Sequence, residues 1–247
     1  MINNFSVINI YESPNLGSKL SSQMLYGEKF RILNKKKNWL KIKTDYDNYI
    51  GYIKNKKFLK KFDPKFKISS KKTEIFTKIN KRFKKTNKFL YFASRISKID
   101  ENRNFIEFEK NKWIKKNNLK KINYFEKNYN KIFKFFLNSK YLWGGKTSDG
   151  IDCSALVQIY FYYNRVFFPR DTKDQIRFCK IKNKKIFSKG DIIFWKGHVG
   201  VCLNQIKFIH AYGPKKKVII MPTNLTIQHI KKTAKLIVKK VSNIGAY

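Results

Sequence analysis

The chain has 247 residues, with 56 Lys and Arg against 16 Asp and Glu, which gives a formal net charge of +40. Its content of 42% hydrophobic and 16% aromatic residues excludes a fully disordered polycation, because disordered chains are poor in these groups. Three cysteines are too few for a disulfide framework, and no Cys or His spacing resembles a zinc site. With no signal peptide or bilayer-length apolar run visible, we expect a cytoplasmic protein with no membrane contact, metal or cofactor.

The excess of positive charge has two interpretations. Counterion release favours nucleic-acid binding by any strongly basic protein, but the binding surface is then usually a patch or stripe. Here every stretch of fifty residues is basic, although 51–100 is extreme with 17 basic against 3 acidic residues. Lys, Asn, Ile and Phe can all be encoded by A and T alone, so an AT-rich genome explains the composition. We expect no nucleic-acid partner.

Period-two alternation predicts short strands in the first 60 residues, arranged as a small β-barrel. These strands are Ser6–Tyr11, Gln23–Leu33, Trp39–Lys43 and Tyr49–Lys54. Residues 65–121 have a similar texture, and their predicted strands are Phe89–Lys98, Arg103–Glu109 and Lys112–Ile114. We therefore expect two small β domains, at residues 1–62 and 63–121.

The period changes at residue 122, where aromatic and aliphatic residues begin to recur every three or four positions. Such spacing predicts one amphipathic helix whose stripe faces the core, formed by Ile122, Phe125, Tyr129, Phe133 and Phe136. The further predicted elements are helices Cys153–Tyr163 and Thr172–Cys179 and strands Asp191–Trp195, His198–Leu203, Lys207–Tyr212, Val218–Met221 and one near Leu236–Val241. The pattern indicates an α+β domain over residues 122–247.

Cys153 is the cysteine best placed for chemistry. Its spacing to Leu156 and Val157 puts it in the first turn of a helix, where unpaired N–H groups and the helix dipole favour a thiolate. Cys179 and Cys202 fall inside a predicted helix and strand, and we expect them to be buried and inert.

Two histidines supply a base for this cysteine. A hairpin with a three-residue loop at 203–205 pairs residue 198 with 210, so His198 and His210 share one face of the sheet. Gly200 leaves room on that face for a substrate or for the cysteine helix. The arrangement suits a triad in which His198 takes the thiol proton and His210 orients it, although two structural histidines would fit equally well. His229 has no such context, and we expect it on the surface.

These residues also carry a resemblance. Five motifs, YLWGGKTSDGIDCSALVQ at 141–158, PRDTKDQ at 169–175, KGDIIFW at 189–195, GHVGVCL at 197–203 and FIHAYG at 208–213, resemble the NlpC family of bacterial cell-wall cysteine peptidases. SSQMLYGEKFRIL at 21–33, Trp39 and DNYIGYI at 47–53 resemble the first of two SH3-like domains in the dipeptidyl-peptidase branch of that family. The resemblance implies a papain-like α+β catalytic domain preceded by two small SH3-like β-barrels.

The resemblance also implies roles for individual residues. Cys153 corresponds to the nucleophile, His198 to the general base and His210 to the third, orienting member. Tyr141 falls where the family has a tyrosine near the nucleophile, and its hydroxyl could stabilise the oxyanion together with the Cys153 N–H. Ala155 stands where most relatives have glycine, which we expect to change crowding beside the nucleophile without loss of activity.

The branch is similar to enzymes that cleave the γ-D-glutamyl bond to a diamino acid in murein peptides with a free N-terminal L-alanine. A buried ammonium needs acceptors, and the resemblance implies Asp152, Tyr49 and Glu28 for this role. Asp152 could instead, or also, cap the Cys153 helix. Trp143 and Arg170 could shape the cleft, although Arg170 could equally form a structural ion pair.

We therefore predict a cytoplasmic cysteine dipeptidyl-peptidase that removes L-Ala-γ-D-Glu from free murein peptides in cell-wall recycling. Two alternatives remain open from the sequence: an exported endopeptidase acting on intact peptidoglycan, and a non-catalytic basic binding module.

Overall fold

The structure, a computed structural model, describes residues 1–182 and 186–247. The chain divides into two compact units, residues 1–125 and 126–247. The predicted α+β class is confirmed, since the described residues form many short strands together with α-helices, all of them in the second unit. Among these residues, no helix combines the length and apolarity needed to cross a membrane. The finer division at residues 62 and 121 stays a prediction.

The first sheet is built from five short strands with the order β2-β1-β5-β4-β3. Its strands are β1 Val7–Tyr11, β2 Leu20–Leu25, β3 Phe30–Lys36, β4 Trp39–Thr44 and β5 Ile50–Lys54. Side chains from all five strands meet in a core that includes Ile10, Met24, Phe30, Ile42 and Ile53. This inward alternation is the period-two pattern seen in the sequence.

The predicted strand Gln23–Leu33 is wrong, because the chain turns within it. Gly27 has φ +81°, a left-handed conformation that glycine adopts at low cost. The Glu28 carboxylate accepts a hydrogen bond from the Leu25 N–H at 2.8 Å, which ties the two sides of the turn together. The chain therefore forms two strands of the first sheet, β2 and β3, where one was predicted.

A second set of strands follows in residues 66–121 and forms a five-stranded sheet, β10-β11-β12-β7-β8, and a three-stranded sheet, β13-β6-β9. The strands are β6 Phe66–Ile68, β7 Lys72–Ile79, β8 Arg82–Tyr91, β9 Arg95–Ile96, β10 Asp100–Glu101, β11 Phe105–Glu109, β12 Lys112–Lys115 and β13 Leu119–Lys121. The predicted strand Phe89–Lys98 is wrong, because Ala93 has φ 68° and separates β8 from β9. The long hairpin β7–β8 has no counterpart in the prediction.

The second unit carries the helices and a five-stranded antiparallel sheet with the order β19-β18-β17-β16-β20. Its elements are α1 Tyr129–Phe135, β14 Lys146–Thr147, β15 Gly150–Ile151, α2 Cys153–Tyr163, α3 Thr172–Phe178, β16 Asp191–Trp195, β17 His198–Cys202, β18 Lys207–Tyr212, β19 Lys217–Pro222, α4 Thr223–Ala234 and β20 Lys240–Asn243. All eleven residues of α2 are buried, and this helix packs against β17 and β18. The core helix therefore lies directly beside the hairpin that carries His198 and His210.

The predicted long helix from residue 122 is shorter than expected. Residues 122–125 belong to the first unit, where the Ile122 N–H donates to the Lys65 carbonyl and the Lys67 ammonium donates to the Tyr124 carbonyl. Phe125 is exposed, whereas Phe133 and Phe136 are buried. The hydrogen bonds to Lys65 and Lys67 thus keep residues 122–125 out of the helix that their spacing predicts.

Two features near the C-terminal end differ from the prediction. Helix α4 was missed, because only Thr223, Thr226 and Ile230 are buried in an otherwise polar sequence. The last strand, expected near Leu236–Val241, is displaced to Lys240–Asn243, and it pairs with β16.

Candidate active site

Cys153 begins α2, as its spacing predicts. The Asp152 side chain caps this helix, accepting a hydrogen bond from the Ala155 N–H at 2.8 Å. The cysteine is 4% exposed, and its Sγ lies 3.9 Å from the carbonyl oxygen of Gly197. Because Gly197 directly precedes His198, the sulfur lies against the backbone that carries the histidine.

The surroundings of Cys153 favour its neutral thiol over the thiolate. Burial, and then the negative charge of Asp152, raises the pKa of Cys153 to about 12. Hydrogen bonds from the Val199 N–H and the Thr172 side chain, and the Arg170 charge, lower it only in part. The expectation that the helix terminus favours a thiolate is therefore wrong in direction, because desolvation outweighs the helix dipole. A proton acceptor is needed to activate this sulfur.

His198 and His210 lie together, although not in the predicted register. Cys202 pairs with Phe208, so the pairing is displaced by two residues from the prediction, in which residue 202 faces 206. The Asn204 side chain explains the displacement, since its Oδ1 accepts from the N–H groups of Ile206 and Lys207 at 2.9 and 2.7 Å. A shift of two residues keeps the same face, and His198 Nε2 lies 2.9 Å from His210 Nδ1.

The surroundings of the two rings keep both of them neutral. Burial lowers the pKa of His198 to about 4, and burial with the nearby imidazoles lowers that of His210 to about 2. The Tyr212 ring stacks on His210 with centroids 4.8 Å apart. A neutral imidazole can accept a proton from a thiol, which is the chemical requirement for a general base.

Gly200 does not provide the open space that the sequence suggested. A Cβ atom at this position would lie 2.4 Å from Cζ of Phe208. The Phe208 ring therefore fills the gap beside the histidines, and its closest ring contact there is with His210 at 5.1 Å between centroids.

The Tyr141 hydroxyl interacts electrostatically with Cys153 and Asp152. Burial raises the pKa of its hydroxyl, and the charges of Cys153 and Asp152 raise it further. Its N–H donates to the Lys216 carbonyl at 2.8 Å, which fixes the backbone before the cysteine loop. The hydroxyl thus remains a neutral donor at physiological pH, as an oxyanion-stabilising group must be.

Both oxygens of the Asp152 carboxylate accept hydrogen bonds from other residues of the protein. Both carboxylate oxygens accept from the Arg170 guanidinium, at 3.0 and 2.6 Å, and both residues are buried. The N–H groups of Gly144 and Ala155 and the Ser154 hydroxyl complete the set of donors. Arg170 is therefore the partner of a structural ion pair, and the capping role of Asp152 is observed.

The remaining predicted binding residues have separate surroundings. Trp143 is 59% exposed in the loop before β14. In the first unit, Glu28 is buried in the turn after β2, and the Tyr49 hydroxyl donates to the Ser21 carbonyl at 3.3 Å. Their substrate-binding roles stay predictions.

A cavity of about 550 Å³ adjoins the histidines within the second unit. Its lining includes Tyr141, His198, Tyr212, Lys215 and His229. His229, expected on the surface, is half-buried on α4, with its ring 6.0 Å from that of Tyr212. The buried residues of α4 lie at positions 223, 226 and 230, which is a helical spacing. No group of three or more potential metal ligands occurs in the described ranges.

Comparison with known proteins agrees with this geometry. Residues 138–236 match the family model of the NlpC/P60 family, and residues 10–58 match that of the bacterial dipeptidyl-peptidase SH3 domain. The chain carries an NlpC/P60 domain behind a bacterial dipeptidyl-peptidase SH3 domain. It is a cysteine-type peptidase, a hydrolase of peptide bonds.

Two relatives named as dipeptidyl-peptidases match most of the chain. It is 25% identical to the γ-D-glutamyl-L-lysine dipeptidyl-peptidase of Bacillus cereus, covering 84% of this chain and 72% of the relative. It is 26% identical to dipeptidyl-peptidase 6 of Lysinibacillus sphaericus, covering 82% and 84% respectively. The crystal structure of an NlpC/P60 family protein from Bacillus cereus superposes with a TM-score of 0.82 at 18% identity over 98% of both chains. The predicted fold class, a papain-like domain preceded by SH3-like barrels, is confirmed.

Proposed function

We propose that this protein hydrolyses the γ-D-glutamyl bond to a diamino acid in free murein peptides, releasing L-Ala-γ-D-Glu during cytoplasmic cell-wall recycling. The observation that carries the proposal is the site itself. A buried thiol at a helix N-terminus lies against the backbone of His198, whose ring is 2.9 Å from His210. The names of the relatives, both dipeptidyl-peptidases, support the substrate class.

The chemistry follows from the protonation states. The neutral His198 imidazole accepts the Cys153 proton as the sulfur attacks the γ-glutamyl carbonyl carbon. The Tyr141 hydroxyl and the Cys153 N–H donate to the oxyanion of the tetrahedral intermediate. Protonated His198 then donates to the departing amine, which leaves a thioester on Cys153. Water hydrolyses this thioester, with His198 again taking a proton.

His210 acts in this scheme by orienting His198. If His198 Nδ1 accepts the thiol proton, its Nε2 carries a hydrogen that His210 Nδ1 accepts, so His210 holds its own proton on Nε2. That Nε2 is buried with no hydrogen-bond partner among the described residues. The arrangement supports a neutral imidazole as the third member rather than a charged carboxylate.

The direct test uses L-Ala-γ-D-Glu-diaminopimelate, with the products measured by mass spectrometry. We expect wild-type protein to release L-Ala-γ-D-Glu and Cys153→Ala to release none, whereas Cys202→Ala, which removes another buried thiol, should remain active. A peptide whose amine is blocked by N-acetylation should resist cleavage. Equal cleavage of the blocked peptide would indicate an endopeptidase of intact wall, and cleavage by Cys153→Ala would disprove the mechanism.

A further inference from the structure

The cavity beside His198 is lined by two chemically different sets of residues. Tyr141 and His198 are the reacting groups, whereas Lys215, at the end of the turn 213–215, and His229 of α4 are basic side chains. Ile230 and Ala234 of α4 add apolar atoms to the lining. Its volume of about 550 Å³ falls in the range of small-molecule sites, which is about 300–1,000 Å³.

The position of the cavity assigns it to the leaving part of the substrate. In the proposed mechanism the acyl part stays bound to Cys153, while His198 donates a proton to the amine that departs. The substituents of that amine must therefore lie next to the His198 ring. His198 forms part of the cavity wall, so the cavity is where the leaving amino acid would be held.

The charge of the cavity selects among leaving groups. No Asp or Glu occurs in the sequence after Asp191, whereas residues 201–247 contain nine lysines. Among the described residues none of those lining the cavity is acidic, and Lys215 and His229 provide hydrogen-bond donors. The side chains of lysine and diaminopimelate both carry an ammonium group, which finds no carboxylate here and meets the like charge of Lys215. Only diaminopimelate adds a carboxylate, which Lys215 and His229 can match.

Resting on the proposed function, we propose that this cavity is a leaving-side subsite in which Lys215 and His229 select a diamino acid carrying a side-chain carboxylate, such as diaminopimelate, over one without it, such as lysine. The two residues that select the leaving group are Lys215, in the turn 213–215, and His229, in α4. Both follow the last of the family's motifs, FIHAYG at 208–213, in the sequence. They have a role in specificity and none in the bond-breaking steps.

The experiment compares kcat/KM for L-Ala-γ-D-Glu-diaminopimelate and L-Ala-γ-D-Glu-L-lysine. We expect wild type to prefer the diaminopimelate peptide. Lys215→Met should lower that preference roughly tenfold, both by slowing the first peptide and by speeding the second, and His229→Gln should lower it in the same direction. Lys231→Met is the matched control, because it removes the same charge from an exposed position of α4 that does not line the cavity.

Each outcome has a separate meaning. Cleavage of neither peptide by wild type would overturn the proposed function and this inference with it. Efficient cleavage of both peptides without preference, or a loss in Lys215→Met that is equal for both, would overturn the subsite alone, since the two peptides differ only in the side-chain carboxylate. An equal change of preference in Lys231→Met would also overturn it, because the effect would then come from overall charge.

Discussion

The Asp152 carboxylate caps helix α2, which is one of the two roles predicted for it, and its binding of a substrate ammonium stays a prediction. Its two oxygens receive donors from Arg170, Gly144, Ser154 and Ala155, so little acceptor capacity is left for a substrate ammonium. Asp171 is the other carboxylate close to the nucleophile, and we predict that it receives the substrate ammonium. It is half-buried, it adjoins Thr172, whose side chain interacts with the Cys153 sulfur, and burial with the charge of Asp152 raises its pKa.

Substitution separates these two carboxylates. Asp152→Asn leaves Arg170 as a buried charge without its partner, and we expect a loss of about 3–5 kcal/mol in the free energy of unfolding. Asp171→Asn should unfold at nearly the wild-type temperature but raise KM for free-amine peptides roughly tenfold, by loss of a charged hydrogen bond. Thermal unfolding and steady-state kinetics measure the two effects.

Asp174→Asn is the control for this pair, because Asp174 lies on the same helix, α3, with its side chain 43% exposed and facing Arg177. It should change neither stability nor KM. The opposite result would be an Asp152→Asn variant that is stable but no longer cleaves free-amine peptides, together with an Asp171→Asn variant that behaves like wild type. That result would show that Asp152, and not Asp171, binds the substrate ammonium.

The neutral thiol and imidazole predict an unusual pH profile. The pKa of His198 is lowered to about 4, so the ring stays unprotonated, and competent as a base, well below the ordinary histidine value of about 6.5. The acid limb of kcat/KM should therefore lie below pH 6 in a titration from about pH 4 to pH 8. A midpoint at or above about 6.5 would contradict this account.

The same lowering affects stability and must be measured alongside. Below about pH 6.5 the unfolded chain binds protons at positions 198 and 210 that the folded protein does not, so stability falls as the pH falls towards the folded values. Circular dichroism at each pH distinguishes unfolding from protonation of the base. A loss of activity at low pH is assigned to protonation of His198 only at pH values where the protein remains folded.

At the scale of elements, the sequence pattern predicted the positions of the helix and strands whose residues are almost all buried. Helix α2 and strands β16 and β18 lie at their predicted positions, and all of their residues except Lys207 are buried. The His198 and His210 pair was predicted despite a wrong register, since an error of two residues preserves the face of a strand. An error of one residue would have put the two rings on opposite faces.

Elements decided by distant contacts were not predictable in this way. Helix α1 begins at Tyr129, because the preceding residues hydrogen-bond to Lys65 and Lys67, more than fifty positions earlier in the chain. Helix α4 buries too few apolar residues to show a clear stripe, and His229 was missed with it. The direction of the Cys153 pKa was also missed, since it depends on how deeply tertiary packing buries the sulfur.

At the scale of the whole molecule, we predict that the charge of +40 speeds the capture of anionic substrates modestly. The diaminopimelate tripeptide carries three carboxylates and two ammonium groups and is a net anion, whereas the lysine tripeptide has no net charge. A positive protein attracts the first from a distance and the second hardly at all. Salt shortens that attraction, to a Debye length of about 8 Å at physiological ionic strength.

We therefore expect kcat/KM for the diaminopimelate peptide to fall severalfold between about 0.02 and 0.5 M NaCl, with kcat nearly constant, and the value for the lysine peptide to change much less. Lys215→Met separates the field from the subsite. It reduces the net charge only from +40 to 40 − 1 = +39, so its salt dependence should match wild type even though its preference between peptides is weakened. If Lys215→Met abolished the salt dependence, attraction would come from that one lysine, and the remaining excess of positive charge would have no part in substrate capture.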